Sequence, residues 1–179
     1  MFYGAVTASA VAALFISCSD TPPTSGATKE KQFDIPHFFK QEIARLEKTN
    51  PLVKKTVTKD SLSETKELNI SNWSNELASF ATVDLNKPVY VGLLRKDSVD
   101  GKLTFTADDP KVDLSSVEIS FAQDKTPKGF IIRRTIKNSL YQTTETMEYQ
   151  RDSIYRLQKD QSVLLLGDKH YNIHASFLH

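Results

Sequence analysis

From Val89 to the end of the chain, apolar side chains recur at every second position, and no other feature narrows the fold so far. Val89, Val91 and Leu93 alternate with Tyr90, Gly92 and Leu94, and Asp100-Gly101 is a strong hairpin turn into Leu103 to Thr106. Val117, Ile119 and Phe121 alternate with Glu118, Ser120 and Ala122, and a turn holding Pro127 and Gly129 leads into Phe130 to Ile136. After Asn138-Ser139, Tyr141, Thr143, Glu145, Met147 and Tyr149 share one side of a long strand. Arg151-Asp152-Ser153 precedes a strand over Ile154 to Leu166, and Gly167-Asp168-Lys169 precedes the last strand, with Tyr171, Ile173, Ala175 and Phe177 on one face. Short turns between sequential strands predict an antiparallel meander.

One face of such a sheet must be covered, and two segments ahead of the meander can cover it. Asp34 to Asn50 reads as a helix, with Asp34 at the N-cap and Pro36 in the first turn. Ile35, Phe38, Phe39, Ile43 and Leu46 form its apolar face, and Asn50-Pro51 ends it. Glu42 falls inside that arc. It reads either as a rim carboxylate with a basic partner or as a buried acid lining a site. Val53 to Ile70 suggests two polar strands around a turn at Lys59-Asp60-Ser61, because Thr56, Val57 and Thr58 are β-branched. Ser71 to Val83 reads as a second helix, with Trp73, Leu77 and Phe80 along one side. The expected fold is α+β: two N-terminal helices packed on a strongly bent antiparallel meander of about six or seven strands, able to curl toward a half-barrel.

The first residues carry a different signal. Ala5 to Cys18, AVTASAVAALFISC, is too short to span a bilayer as a stable helix and stops at the only cysteine. Ser, Thr, Pro, Gly and Lys follow at once. Leu14-Phe15-Ile16-Ser17 ahead of Cys18 resembles the lipobox of bacterial lipoproteins, although Met1 to Gly4 carry no Lys or Arg and Phe15 stands where Leu is commoner. The resemblance implies a signal peptide over 1–17, cleavage before Cys18, and lipid on that cysteine. Read without the resemblance, the stretch is a short buried helix with a free core cysteine. Residues 18–33 are then a lipidated cysteine and flexible tether with Pro22-Pro23 and Gly26, and 34–179 a single domain. Extended, the tether reaches some tens of ångströms.

The net charge of +1, with acidic and basic residues interspersed, gives no basic stripe for nucleic acid. A lipidated Cys18 leaves no cysteine for a disulfide, so packing must supply stability.

Signals for chemistry are weak throughout. His170 and His174 share a strand face but stand about 13 Å apart, too far to ligate one metal. His37 lies in a helix turn and His179 is terminal. Ser115-Ser116, Ser139 and Ser162 sit in or beside turns, outside any Gly-x-Ser-x-Gly elbow. Gly92, Gly101, Gly129 and Gly167 form no phosphate loop. Asp108-Asp109-Pro110 lacks the spaced oxygens of a calcium site. No catalytic residue, metal or cofactor is therefore assigned. Arg133 and Arg134 point to opposite faces; Arg134 shares the parity of Phe130, Ile132 and Ile136, where it binds an anionic head group or snorkels to an edge. Trp73 reads as an anchor against the sheet or a stacking platform.

Trp73-Ser74-Asn75-Glu76-Leu77, followed by Asp84-Leu85-Asn86-Lys87-Pro88 and a meander, is similar in layout to uncharacterised predicted lipoproteins of Bacteroidota. The resemblance implies an exported, lipid-anchored envelope protein and no particular activity. Surface-exported members of that group often carry several acidic residues after the cysteine. Here only Asp20 follows Ser19, which points to the periplasmic face of the outer membrane. Two functions fit. One is a non-catalytic structural or docking lipoprotein that meets another envelope protein through a sheet edge or an apolar patch. The other is a periplasmic binding module that holds a lipid or other apolar ligand between helices and sheet, with Trp73, Arg134, Tyr141 and Tyr149 lining the site. A cavity lined by Phe, Tyr, Ile and Met favours the second. A solid core with an exposed apolar patch favours the first.

Overall fold

The computed structural model describes Met1 and residues 30–179. The expected signal segment, Cys18 and most of the tether lie outside the described residues. The rest is dominated by one open, nine-stranded antiparallel sheet. In chain order the elements are helix α1 (Ile35–Thr49), strands β1 (Leu52–Lys59) and β2 (Leu62–Asn69), single helical turns α2 (Trp73–Glu76) and α3 (Ala78–Ala81), and a 3-10 turn (Pro88–Tyr90). Strands β3 (Leu94–Val99), β4 (Lys102–Ala107), β5 (Leu114–Phe121), β6 (Pro127–Lys137), β7 (Tyr141–Gln150), β8 (Ile154–Val163) and β9 (Gly167–Phe177) follow. The spatial order is β2-β1-β9-β8-β7-β6-β5-β4-β3, so β3 to β9 form a sequential meander and the β1–β2 hairpin docks beside the last strand. The sheet does not close, because β2 and β3 are its two edges.

Four expectations are corrected. The expected pair of N-terminal helices is not present as a pair. The chain has one helix of 15 residues, and the path over 71–83 breaks at Leu77 into two turns of four residues each. Phe80 N–H turns back to Leu77 O in an i→i−3 bond, while Trp73, Leu77 and Phe80 each bury separately, so tertiary packing overrides helical continuity. The stretch 89–93 is not a strand, and the strand begins only at Leu94: Pro88 opens a 3-10 turn, and Gly92 sits at φ +75°, a left-handed angle incompatible with regular pleating. The half-barrel is an open sheet. The strand expected over 154–166 ends at Val163, and Leu164-Leu165-Leu166 form the turn.

α1 follows its sequence. Asp34 Oδ1 accepts from His37 N–H at 3.0 Å, and that bond holds the Asp34 carboxyl below its usual range. Ile35, Phe39, Glu42 and Leu46 are buried against the sheet. Phe38 packs on Phe130 at 4.6 Å between ring centroids, and Phe39 meets Phe80, Phe130 and Tyr149 at 5.2, 5.2 and 5.3 Å. Rings therefore fill the space between α1 and the sheet.

Candidate functional site

The face beneath the helices is ordered in cross-strand rows. Ile119, Phe130, Tyr149, Tyr155, Ala175 and Lys55 stand in register across β5, β6, β7, β8, β9 and β1. The next row is Val117, Ile132, Met147, Leu157, Ile173 and Val57. The third changes character: Leu114, Arg134, Glu145, Lys159, Tyr171 and Lys59. Arg134 Nε donates to Glu145 Oε2 at 2.5 Å, and Lys159 Nζ approaches Glu145 Oε1 at 3.4 Å. Register alone produces this plus–minus–plus triplet, since directly opposed side chains sit within about 5 Å.

Three of the covering segments are fastened by phenol–carboxylate pairs, two of them through tyrosines of the first row. Tyr149 Oη donates to Glu42 of α1 at 2.5 Å, and Tyr155 Oη donates to Glu76 of α2 at 2.8 Å. Tyr90 of the 3-10 turn donates to Asp113 at 2.7 Å. Burial raises all three tyrosines above the usual phenol range, and the neighbouring carboxylate adds to it. Glu42, only 3% exposed, also accepts from Arg45 Nε at 3.0 Å and Nη2 at 2.5 Å. Arg45 reaches Asp152 of the β7–β8 turn at 2.7 Å, and Arg151 lies 3.5 Å from Glu42. These carboxylate bonds raise the Arg45 pKa further. Glu42 is thus the paired carboxylate of the two readings, used to clip α1 to the sheet.

The four residues assigned to a ligand site do not converge. Trp73 lies in the core at 1% exposure, stacked on Phe177 at 5.8 Å and 9° and edge-on to Tyr155 at 6.0 Å. Tyr149 is equally buried, with its hydroxyl committed to Glu42. A ligand has no free face of either ring to reach. Arg134 stands in the ion-paired row, and Tyr141, half-buried, lies two rows farther toward the opposite end.

That opposite end holds what sequence reasoning missed. Leu164, Leu165 and Leu166 of the β8–β9 turn are 66, 96 and 73% exposed, and Leu140 of the adjacent β6–β7 turn is 65% exposed. Leu164 N–H donates to Leu140 O at 2.9 Å, which joins the two turns into one apolar tip. Leu165 adopts φ +71°. Among the described residues, the other positive angles belong to glycines, Asn50, Asp60, Asp100, Lys125 and Asp152, all polar or without a Cβ. The available signal was the run Val163 to Leu166, four apolar residues that break the period-two alternation.

The sheet edges are mixed, with exposed Leu62 and Val99 standing singly among charged residues. β2 carries Glu64, Lys66 and Glu67, and β3 carries Arg95, Lys96 and Asp97, nearly all exposed. Charged edges resist pairing with another strand. Among the described residues no group of three or more His, Cys, Asp or Glu is placed to hold a metal ion. Nor is any described helix long and apolar enough to cross a membrane. Comparison with known protein families, curated proteins and solved structures found no match to the chain.

Proposed function

We propose that the chain is a non-catalytic docking module of the bacterial cell envelope, moored by lipid on Cys18 at the periplasmic face of the outer membrane, with the leucine tip as its contact surface. The observation that carries this reading is the contrast between a filled core and four exposed leucines in two linked turns. The buried titratable groups at the helices are spent on fastening them. The charged edges leave the apolar tip as the better docking surface of the two considered. The mooring rests on the lipobox resemblance alone.

Two experiments test the proposal. In a bacterial host fed radiolabelled palmitate, the wild-type chain takes up label and Cys18→Ser does not; equal label on both ends the mooring. A photo-activatable residue at position 165 forms adducts with envelope components in intact cells, whereas one at Ser98 on the exposed β3 edge does not. Adducts at both positions, or at neither, contradict a docking role for the tip.

A further inference from the structure

We infer that the leucine tip takes a lipid surface, with Leu164, Leu165, Leu166 and Leu140 entering the acyl-chain boundary of a bilayer. This inference rests on the reading of the tip as the contact surface and adds the chemistry of its partner. Three observations favour hydrocarbon over a protein pocket. Leu164, Leu165 and Leu166 are consecutive residues of one tight turn with Leu140 beside them in the next, each more than half exposed, so their side chains leave the turn in different directions. A fixed concave pocket suits one or two of them, whereas fluid acyl chains surround all of them.

Two of the turn's backbone donors are already satisfied within the protein. Leu164 N–H is bonded to Leu140 O and Leu166 N–H to Val163 O at 3.1 Å, so entry strands neither donor. The charges are placed to stay behind. In the two turns and their flanks, 137–142 and 162–169, Lys137 and Lys169 stand against a single carboxylate, Asp168, and all three are exposed. Long lysine stems let the ammonium groups remain among head groups while the apolar end goes deeper. The expected partner is thus a bilayer surface.

Leu165 adds a fourth sign. A left-handed, 96% exposed leucine costs the fold strain and hydration, and no contact among the described residues buries it. An apolar environment beyond the described fold would supply that burial.

The test uses the full chain with Cys18→Ser, which removes the sole cysteine, and a new cysteine at Leu165 or Ser98 carrying an environment-sensitive fluorophore. Vesicles of phosphatidylethanolamine and phosphatidylglycerol are added, with and without spin label on the acyl chains. Probe depth is the readout, so residues 5–17 contribute equally to both variants. A probe at 165 is expected to shift to the blue and be quenched by the acyl-chain label, while the probe at 98 stays aqueous. Should Leu165→Cys fold poorly, Leu164→Cys gives the same readout. An aqueous probe at 165, or equal quenching at 98, overturns the inference. Adducts at 165 in cells combined with an aqueous probe on vesicles would leave the docking role standing and assign its partner to protein.

Discussion

The two ends of the sheet solve opposite problems with the same kind of strand. At the helix end the β7–β8 turn is clipped to α1 through Asp152, Arg45 and Glu42, and the rings of Phe39, Phe130 and Tyr149 exclude water. At the other end the β8–β9 and β6–β7 turns, among the described residues, are bonded within themselves and to each other and hold leucines out to solvent. The row Arg134–Glu145–Lys159 marks the change between them. One end therefore carries the stability, and the other is free to carry contact.

The sharpest way to break this division is at Phe39. Phe39→Ala empties the place where three rings meet and is expected to lower unfolding free energy by about 3–5 kcal/mol, read from a urea midpoint. A loss as small as that of a surface change would mean that α1 does not hold the fold. Tyr149→Phe keeps the ring and removes one donor from the Glu42 carboxylate, for an expected loss of about 1–3 kcal/mol. No change there would show that the phenol–carboxylate fastening is incidental.

At the tip the sign reverses. Leu165→Gly relieves about 1–2 kcal/mol of left-handed strain and adds about 0.5–1 kcal/mol of backbone entropy cost, so a net stabilisation of roughly 0.5–1 kcal/mol is expected. A destabilised Leu165→Gly would mean that the leucine packs in the fold and the ends are less distinct than described.

The smallest effect belongs to the exposed pair His170 and Asp160, whose Nδ1 and Oδ1 lie 2.7 Å apart. The hydrogen bond to Asp160 raises His170 above its ordinary value, and His170 in turn lowers Asp160. The histidine's contribution is full below about pH 6.5 and disappears as pH rises through its folded value. The carboxylate's contribution is present above about pH 3.8 and is lost as pH falls. His170→Asn should thus be slightly less stable than wild type near pH 5 to 6 and indistinguishable from it above about pH 8, as thermal melts across pH would show. A difference that grows with rising pH would reverse the assignment.

How far the sequence disclosed this molecule depended on whether the signal was local. Asp34 and Pro36 mark the start of α1, Asp100-Gly101 marks a hairpin, and the one-sided run Tyr141 to Tyr149 is legible from its period. β1 and β2 are readable as a hairpin from their β-branched residues, but their place beside β9 is not, since Val53 pairs with Phe177 across most of the chain. The break at Leu77 accompanies the stacking of Trp73 on Phe177, a long-range contact that helical spacing cannot report. Glu42 was visible as an anomaly of its helix with Arg45 one turn on, yet its partners Tyr149 and Arg151 converge only in three dimensions. The leucine run was visible too, but apolar character alone favoured strand interior over turn.

The most direct test of the division is amide hydrogen exchange on the full chain with and without anionic vesicles. The account predicts that vesicles slow exchange in the turns at 138–142 and 162–169, while α1 and the β7–β8 turn exchange as before. Protection gained at α1 or along the β2 and β3 edges, with the leucine turns unchanged, would contradict it.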